Sequence, residues 1–403
     1  MTFAIADAAQ PVDATAVLDL LPARPRLLAL GEPTHGEDVL LDVRNALFRE
    51  LVEDHGYRSI AIESDCLRGL VVDDYLATGA GTLDEVMERG FSHEFGRSPA
   101  NRELVRWMRA HNENRPDSER LRFAGFDGPL EIAAAASPRE ALVALHAYLE
   151  ARIGPGLLPC TAATLDQLLG ADARWTEPAA MMDPSRSAGR TPEAGELRLI
   201  ADGLAEVLDT RTPELIATSS AGEWERARLH SRTAVGLLRY HHWMADTSPN
   251  RMAGLLGTRA SMMAANLLAI AEPGPALVYA HNSHLQRHKS AMQMWQGRVE
   301  WWSAGAIVAA HLGSEYALVA TALGTIRHRG VGTPEPDTLE GLLYALPEER
   351  CLLDSRRLAG GLEVAPRVSP WFGYAPLDPA HLADADAVMF VKDAEGPSWL
   401  PLG

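Results

Sequence analysis

The 403-residue chain is poor in lysine and cysteine and has no long uninterrupted apolar run. Lysine occurs only at Lys289 and Lys392, and every other basic residue apart from histidine is arginine. With 37 basic against 54 acidic residues the formal net charge is −17. Such a surface repels phosphate backbones, and no run of Lys or Arg relieves it, so no nucleic-acid partner is expected. Cys66, Cys160 and Cys351 are too few and too scattered for a disulfide framework or a zinc knuckle, and suit a reducing, cytoplasmic setting. The first residues, Met1 to Asp7, show no signal-peptide pattern, and no 18 consecutive apolar residues occur, so no membrane span is expected. The chain lacks a Gly-x-Ser-x-Gly elbow, which argues against a serine nucleophile of the α/β-hydrolase type. It also lacks Gly-x-Gly-x-x-Gly, Gly-x-x-x-x-Gly-Lys and His-Glu-x-x-His, so dinucleotide, P-loop and zincin chemistry have no support.

What is present is an ordinary globular composition, 47% hydrophobic and 23% charged, on a chain long enough for a large core. Seven short apolar runs flanked by turn residues read as strands: residues 27–30, 59–63, 121–126, 276–280, 316–323, 351–353 and 387–392. Several are apolar on both faces, as in a parallel sheet covered on both sides. Helical patterns lie between them, with Leu40, Val43, Leu47 and Leu51 in one and Leu104, Val105 and Met108 in another. The expected fold is α/β, with a mainly parallel central sheet covered by helices. No strand pattern is evident from 132 to 271, where Ala, Leu, Glu and Arg dominate. That stretch reads as an inserted helical lobe forming a cleft with an α/β core of residues 1–131 and 272–403. Within it, residues 174–190 carry Pro178, Pro184, Gly189 and the pair Met181-Met182, a pattern expected of a mobile lid.

Three segments concentrate titratable groups at strand tips, where α/β sheets place their ligands. Gly31-Glu32-Pro33-Thr34-His35-Gly36-Glu37 follows the first strand and precedes a helix. Its plainer reading is a helix start in which Thr34 and Glu37 form a capping box. Glu63 ends the second strand, where a carboxylate needs a partner, and His35 is the obvious candidate. A solvent-facing strand end is the alternative. His281-Asn282-Ser283-His284 follows the fourth run, and its two imidazoles suit acid/base work or, with Glu or Asp, metal chelation. Asp127, Arg68 and Arg259 are lesser candidates, each more simply a fold-supporting ion pair. His328 and the remaining histidines considered (His55, His146, His230, His241, His242 and His311) read as surface or core residues.

These segments together resemble the erythromycin esterase-like family, some of whose members are labelled succinoglycan-biosynthesis proteins. The resemblance rests on Gly-Glu-x-Thr-His-Gly at Gly31 to Gly36, Ala61-Ile62-Glu63, and Asp73-Asp74-Tyr75 after Arg68-Gly69. It continues through Trp107-Met108-Arg109-Ala110-His111-Asn112, Gly125-Phe126-Asp127, the helix carrying Arg259, Met263 and Asn266, and Ala280-His281-Asn282-Ser283-His284. Tyr279 stands where the family often has Trp, and Ala260 where an acid is frequent. The resemblance implies an α/β core with a helical lobe. It also implies hydrolysis of an ester or lactone in which His35 activates water, with Glu32, Glu63, His281 and His284 lining the site.

The expected function is thus a hydrolase for an ester or lactone of a small natural product, macrolide-like or other. Its catalytic set is His35, Glu32, Glu63, His281 and His284. Arg68, Asp127, Arg259, Asn282 and Glu37 bind or support. Glu63 is expected to orient His35, either His281 or His284 to donate a proton or hydrogen bond, and Arg259 and Arg68 to support the carboxylates. No cofactor is required, although His35, Glu63, His281 and His284 would suit a divalent ion. The alternatives are a cyclase or acyl-transfer enzyme of biosynthesis, or a natural-product-binding resistance protein without turnover. A monomer or homodimer is expected.

Overall fold

The computed structural model describes residues 5–131, 134–294, 297–395 and 399. All seven expected strands form and join one sheet: β1 (Leu27–Glu32), β2 (Ser59–Asp65), β3 (Arg122–Asp127), β4 (Ala276–His281), β5 (Tyr316–Thr325), β6 (Arg350–Asp354) and β7 (Ala387–Asp393). Their order is β6-β7-β5-β1-β4-β2-β3. The pairs β1–β4, β1–β5, β2–β4 and β5–β7 are parallel, and the edge strand β6 runs antiparallel to β7.

Period-two alternation sends the sheet's side chains into two cores. On β7, Ala387, Met389 and Val391 join the larger one, while Val388 and Phe390 face the other with Cys351, Leu353 and Leu358. Helix α1 (Asp38–His55) lays Leu40, Val43, Leu47 and Leu51 on the larger core and ends at Gly56, whose φ of 75° favours glycine. The chain leaves β1 toward β2 and leaves β4 toward β5, in opposite directions across the sheet. Right-handed crossovers then lie on opposite faces, which opens a crevice at the carboxyl ends of β1 and β4.

The chain divides into two compact units: residues 1–126, 267–290 and 302–403, and residues 127–266 with 291–301. The second is largely helical, with Arg139–Ile153, Ala162–Leu169, Pro192–Thr210, Thr212–Thr218, Ala221–Met244 and most of Arg251–Ile270. The last of these is, among the described residues, the one helix long and apolar enough to cross a membrane by length and composition. It buries Leu255 and Met263 as a core helix does, and its Arg259 is gripped by Asp127.

Two short ribbons were not expected from the sequence. Leu130–Glu131 pairs with Ala134–Ala135, too briefly to leave a period. Lys289–Met294 joins Gly297–Trp302, and both strands are mostly solvent-facing, so they carry little of the apolar signal that marks a strand.

The expectation of a mobile lid at 174–190 is corrected. The segment is a succession of 3₁₀ turns, Asp172–Arg174, Pro178–Met181, Pro184–Arg186 and Ala188–Arg190. Its anchor is Trp175, 2% exposed, which donates its indole N–H to the Leu169 carbonyl at 2.9 Å and meets the His241 ring edge-on. A Cβ at Gly189 would strike the His241 carbonyl, so that turn fits closely too. Pro and Gly here punctuate a packed segment, which composition alone does not distinguish from an open loop. Trp175→Ala is therefore expected to cost about 3–5 kcal/mol, as for a large aromatic removed from a core. Denaturant titration checks it, and a loss below about 1 kcal/mol would mean the segment is not structural.

Candidate active site

Strand pairing alone brings the three motif segments together. Glu32 at the tip of β1 is in register with His281 at the tip of β4, and β2, which carries Glu63, flanks β4 on its other side. Glu32 and Glu63 are each 3% exposed, so these are carboxylates in the sheet's interior end rather than solvated tips. Asn282 locks the β4 tip to β5: its amide donates to the Thr321 carbonyl at 2.9 Å and its oxygen accepts the Thr321 N–H at 3.2 Å. The neighbouring position on β1 must be Gly31, since a Cβ there would fall on the Asn282 side-chain oxygen.

His35 is held through Nδ1, 2.7 Å from Oε1 of Glu32. The second Glu32 oxygen accepts the Tyr279 hydroxyl proton at 2.6 Å. Burial, with Glu32 close by, pushes the Tyr279 phenol well above its ordinary pKa, so it stays a donor. Behind that ring lies Arg44, fully buried, its guanidinium carbon 4.9 Å from the ring centroid and its nitrogens on the Asn45 and Asn101 side-chain oxygens. Burial weakens its hold on the proton, and Tyr279 and Glu32 offset this. Glu63 accepts the His281 backbone N–H at 2.9 Å on one oxygen and lies 3.0 Å from His284 Nε2 through the other. His35 Nε2 is 3.9 Å from Glu63, beyond hydrogen-bond reach. The carboxylate that orients His35 is thus Glu32, not Glu63 as the sequence predicts. A turn of three residues reaches back more closely than β2 does, which lies beyond β4 in the sheet.

The two histidines of the β4 tip differ in what remains available to a substrate. His281 Nε2 lies 3.2 Å from the Pro33 carbonyl and must donate to it. Its Nδ1 then accepts from the Ser283 hydroxyl at 2.7 Å and the Ser283 N–H at 3.2 Å. Burial, with His35 beside it, pushes the ring down to about 3, so it is neutral. As a ligand for an ion it is spent, which would leave His35, Glu63 and His284 to supply the donors.

The supporting residues divide. Glu37 is buried but faces His328, whose Nε2 is 3.0 Å away, and burial raises its pKa. It is itself the N-cap residue of α1, and no side chain caps that helix, so the Thr34–Glu37 capping box does not form. Arg68, half exposed, donates to the Phe91 carbonyl and lies 3.8 Å from Asp65, so the carboxylate it supports is neither Glu32 nor Glu63. In the helical unit Arg259 grips the fully buried Asp127 with Nε and Nη2, the latter at 2.7 Å.

Sequence reading missed Tyr279, Arg44, Ser283 and His328 as members of this network. Arg44 had a signal: it falls on the stripe of Leu40, Leu47 and Leu51, where a charge is anomalous unless paired.

A neutral buried histidine makes stability depend on pH. Below pH 6.5 the unfolded chain takes up a proton that folded His281 refuses until about pH 3, so stability falls as pH falls through that window. His281→Gln keeps a donor and an acceptor but no titration. Wild type should lose about 2 kcal/mol more than His281→Gln between pH 7 and pH 5. Equal losses in urea titrations would refute the neutral assignment.

Three solved structures resemble the chain over most of its length, all under 20% identical. A Bacillus cereus protein shares 17% identity with a TM-score of 0.72, covering 96% of both chains. A succinoglycan biosynthesis protein shares 15% with a TM-score of 0.70, covering 96% of this chain and 95% of its own. An erythromycin esterase, EreC, carrying a histidine-to-asparagine substitution and in its open conformation, shares 18% with a TM-score of 0.65, covering 95% and 94%. These likenesses establish the fold. Residues 52–393 match the erythromycin esterase family as a sequence, and the chain is a member of that family.

Proposed function

We propose that the protein hydrolyses an ester or lactone of a small natural product, with His35 as general base toward water. The observation that carries this reading is the 2.7 Å contact between His35 Nδ1 and Glu32. An ionised carboxylate only accepts, so Nδ1 carries the proton and Nε2 is the basic nitrogen. The ring is 31% exposed while Glu32 and Glu63 are 4% exposed, so substrate and water meet the histidine rather than the carboxylates. Membership of the erythromycin esterase family supports the ester bond as the target.

We assign hydrogen-bond donation to the developing oxyanion or the leaving alkoxide to His284 in its doubly protonated form, since Nε2 faces Glu63 and Nδ1 donates only when it too carries a proton. Glu63 backs it at 3.0 Å, whereas both nitrogens of His281 are engaged. Two carboxylate–histidine pairs then face the reaction, one to take a proton and one to stabilise negative charge. His281 positions them: its backbone N–H fixes Glu63 and its ring holds the Pro33 carbonyl of the loop that carries His35.

His35→Ala should lower kcat by about 10²–10⁴-fold on any accepted ester, and should also lower the thermal midpoint, because buried Glu32 loses one of its donors. Mass spectrometry of a panel of macrolides, other lactones and linear esters reads the reaction. Gain of one water mass by wild type, abolished in His35→Ala, supports the proposal. Loss of one water would mean cyclisation, and tight binding of unchanged compound would mean sequestration. Either outcome, or wild-type turnover by His35→Ala, overturns it.

A further inference from the structure

Outside the Glu32–His35 cluster, a second convergence of donor atoms joins segments far apart in sequence. His288 follows the short helix Asn282–Leu285 that carries His284, and His381 and Asp384 lie on the turn Pro379–Asp384. Nδ1 of His288 and Nδ1 of His381 each lie 3.1 Å from the same oxygen, Oδ2 of Asp384. All three donor atoms fall within 4.8 Å of one another. The His288 nitrogen is buried, yet it makes no hydrogen bond despite its nearness to Asp384. A polar atom in that state is a cost unless something else binds it.

We propose that His288, His381 and Asp384 form a site for one zinc-type divalent ion, distinct from the catalytic cluster. Two imidazoles and one carboxylate form a three-ligand zinc set that leaves a fourth position open. Donors around a tetrahedral ion with bonds of about 2.0–2.1 Å stand about 3.3 Å apart, close to the two distances found here. Magnesium and calcium want six or more oxygens, which this trio does not supply. The carboxylate of Asp378, at the start of the same turn, adds negative charge toward His288.

The two imidazoles are stacked, with centroids 3.7 Å apart and planes 13° from parallel. Bonds from both Nδ1 atoms to one ion require the rings to splay. His381, with a side chain 42% exposed, has the room to swing. A cavity of about 120 Å³ lined by His288, His381, Asp378 and Asp384 offers space for a water on the fourth position. The same cavity touches His281 and Ser283. An ion would therefore fasten the Pro379–Asp384 turn to the segment that carries His284. It would act as a clamp, not as a participant in the hydrolysis.

The test uses full-length protein without a histidine tag, stripped with chelator and then titrated with Co²⁺ and Zn²⁺. Wild type should bind one equivalent that gives the visible Co²⁺ bands of a low-symmetry, four-coordinate site and raises the thermal midpoint. His381→Ala and Asp384→Asn should each weaken that binding at least about 10-fold and lose the bands. Their midpoints in chelator should match wild type, because His381 and Asp384 lie on the surface. His35→Gln should leave the site intact. Absence of binding by wild type at micromolar metal overturns the proposal. So does unchanged binding by both His381→Ala and Asp384→Asn, or loss of the signal only in His35→Gln, which would put the ion in the catalytic cluster.

Discussion

Glu32 is a carboxylate taken out of water, and the architecture around it follows from that. An uncompensated buried carboxylate is costly enough to protonate or to drive local unfolding. Here each oxygen has a short donor, His35 on one and Tyr279 on the other, and the Arg44 cation lies behind the Tyr279 ring. Those partners come from three different elements: the turn after β1, the strand β4 and the helix α1. Seating the charge therefore requires β1 and β4 to pair in one register and α1 to pack in one rotation. The same contacts that make the charge tolerable fix the His35 ring through its Nδ1. Tyr279, where the resembling family often has Trp, keeps what the position requires: a large ring with one polar hydrogen at its end.

Glu63 poses the same problem two strands along the sheet, beyond β4, and is solved differently. One oxygen takes a backbone N–H from His281 and the other faces His284. The β4 tip thereby divides its two histidines. His281 becomes neutral scaffolding, capping its own short helix, while His284 stays paired with a carboxylate. The His-x-x-His spacing proposes two equivalent imidazoles. Their environments make them unequal, because one is sealed by Pro33 and Ser283 and the other is not.

The seven strands were legible because a sheet buried on both faces writes continuous apolar runs into the sequence. The ribbon of Lys289–Met294 and Gly297–Trp302 writes none, since its strands are mostly exposed. The core of the site was legible for the same reason that strand tips are: Glu32, Glu63 and His281 end the runs that form β1, β2 and β4. What could not be read was pairing. Choosing Glu32 over Glu63 as the partner of His35 depends on a turn geometry that residue types do not encode. Asn282, expected to bind or support, is a lock on Thr321, and His328, expected as a surface or core residue, is the partner of Glu37. Residues 174–190 looked mobile because Pro178, Pro184 and Gly189 interrupt them, but the buried Trp175 at their start carries the opposite information.

Under the proposed reaction the two carboxylate–histidine pairs differ in proton count as well as exposure: His35 acts as a neutral ring, and His284 donates only with both nitrogens protonated. Both carboxylates are buried to the same degree, and both hold an imidazole nitrogen at hydrogen-bond distance. The His35 ring is 31% exposed and the His284 ring 14%. The more open ring meets water and takes its proton. The more enclosed one sits where the dielectric is lower, so a hydrogen bond from it to developing negative charge is stronger. Exposure favours His35 for the base under that reaction, and a second proton on the His284 ring is what the donor role adds.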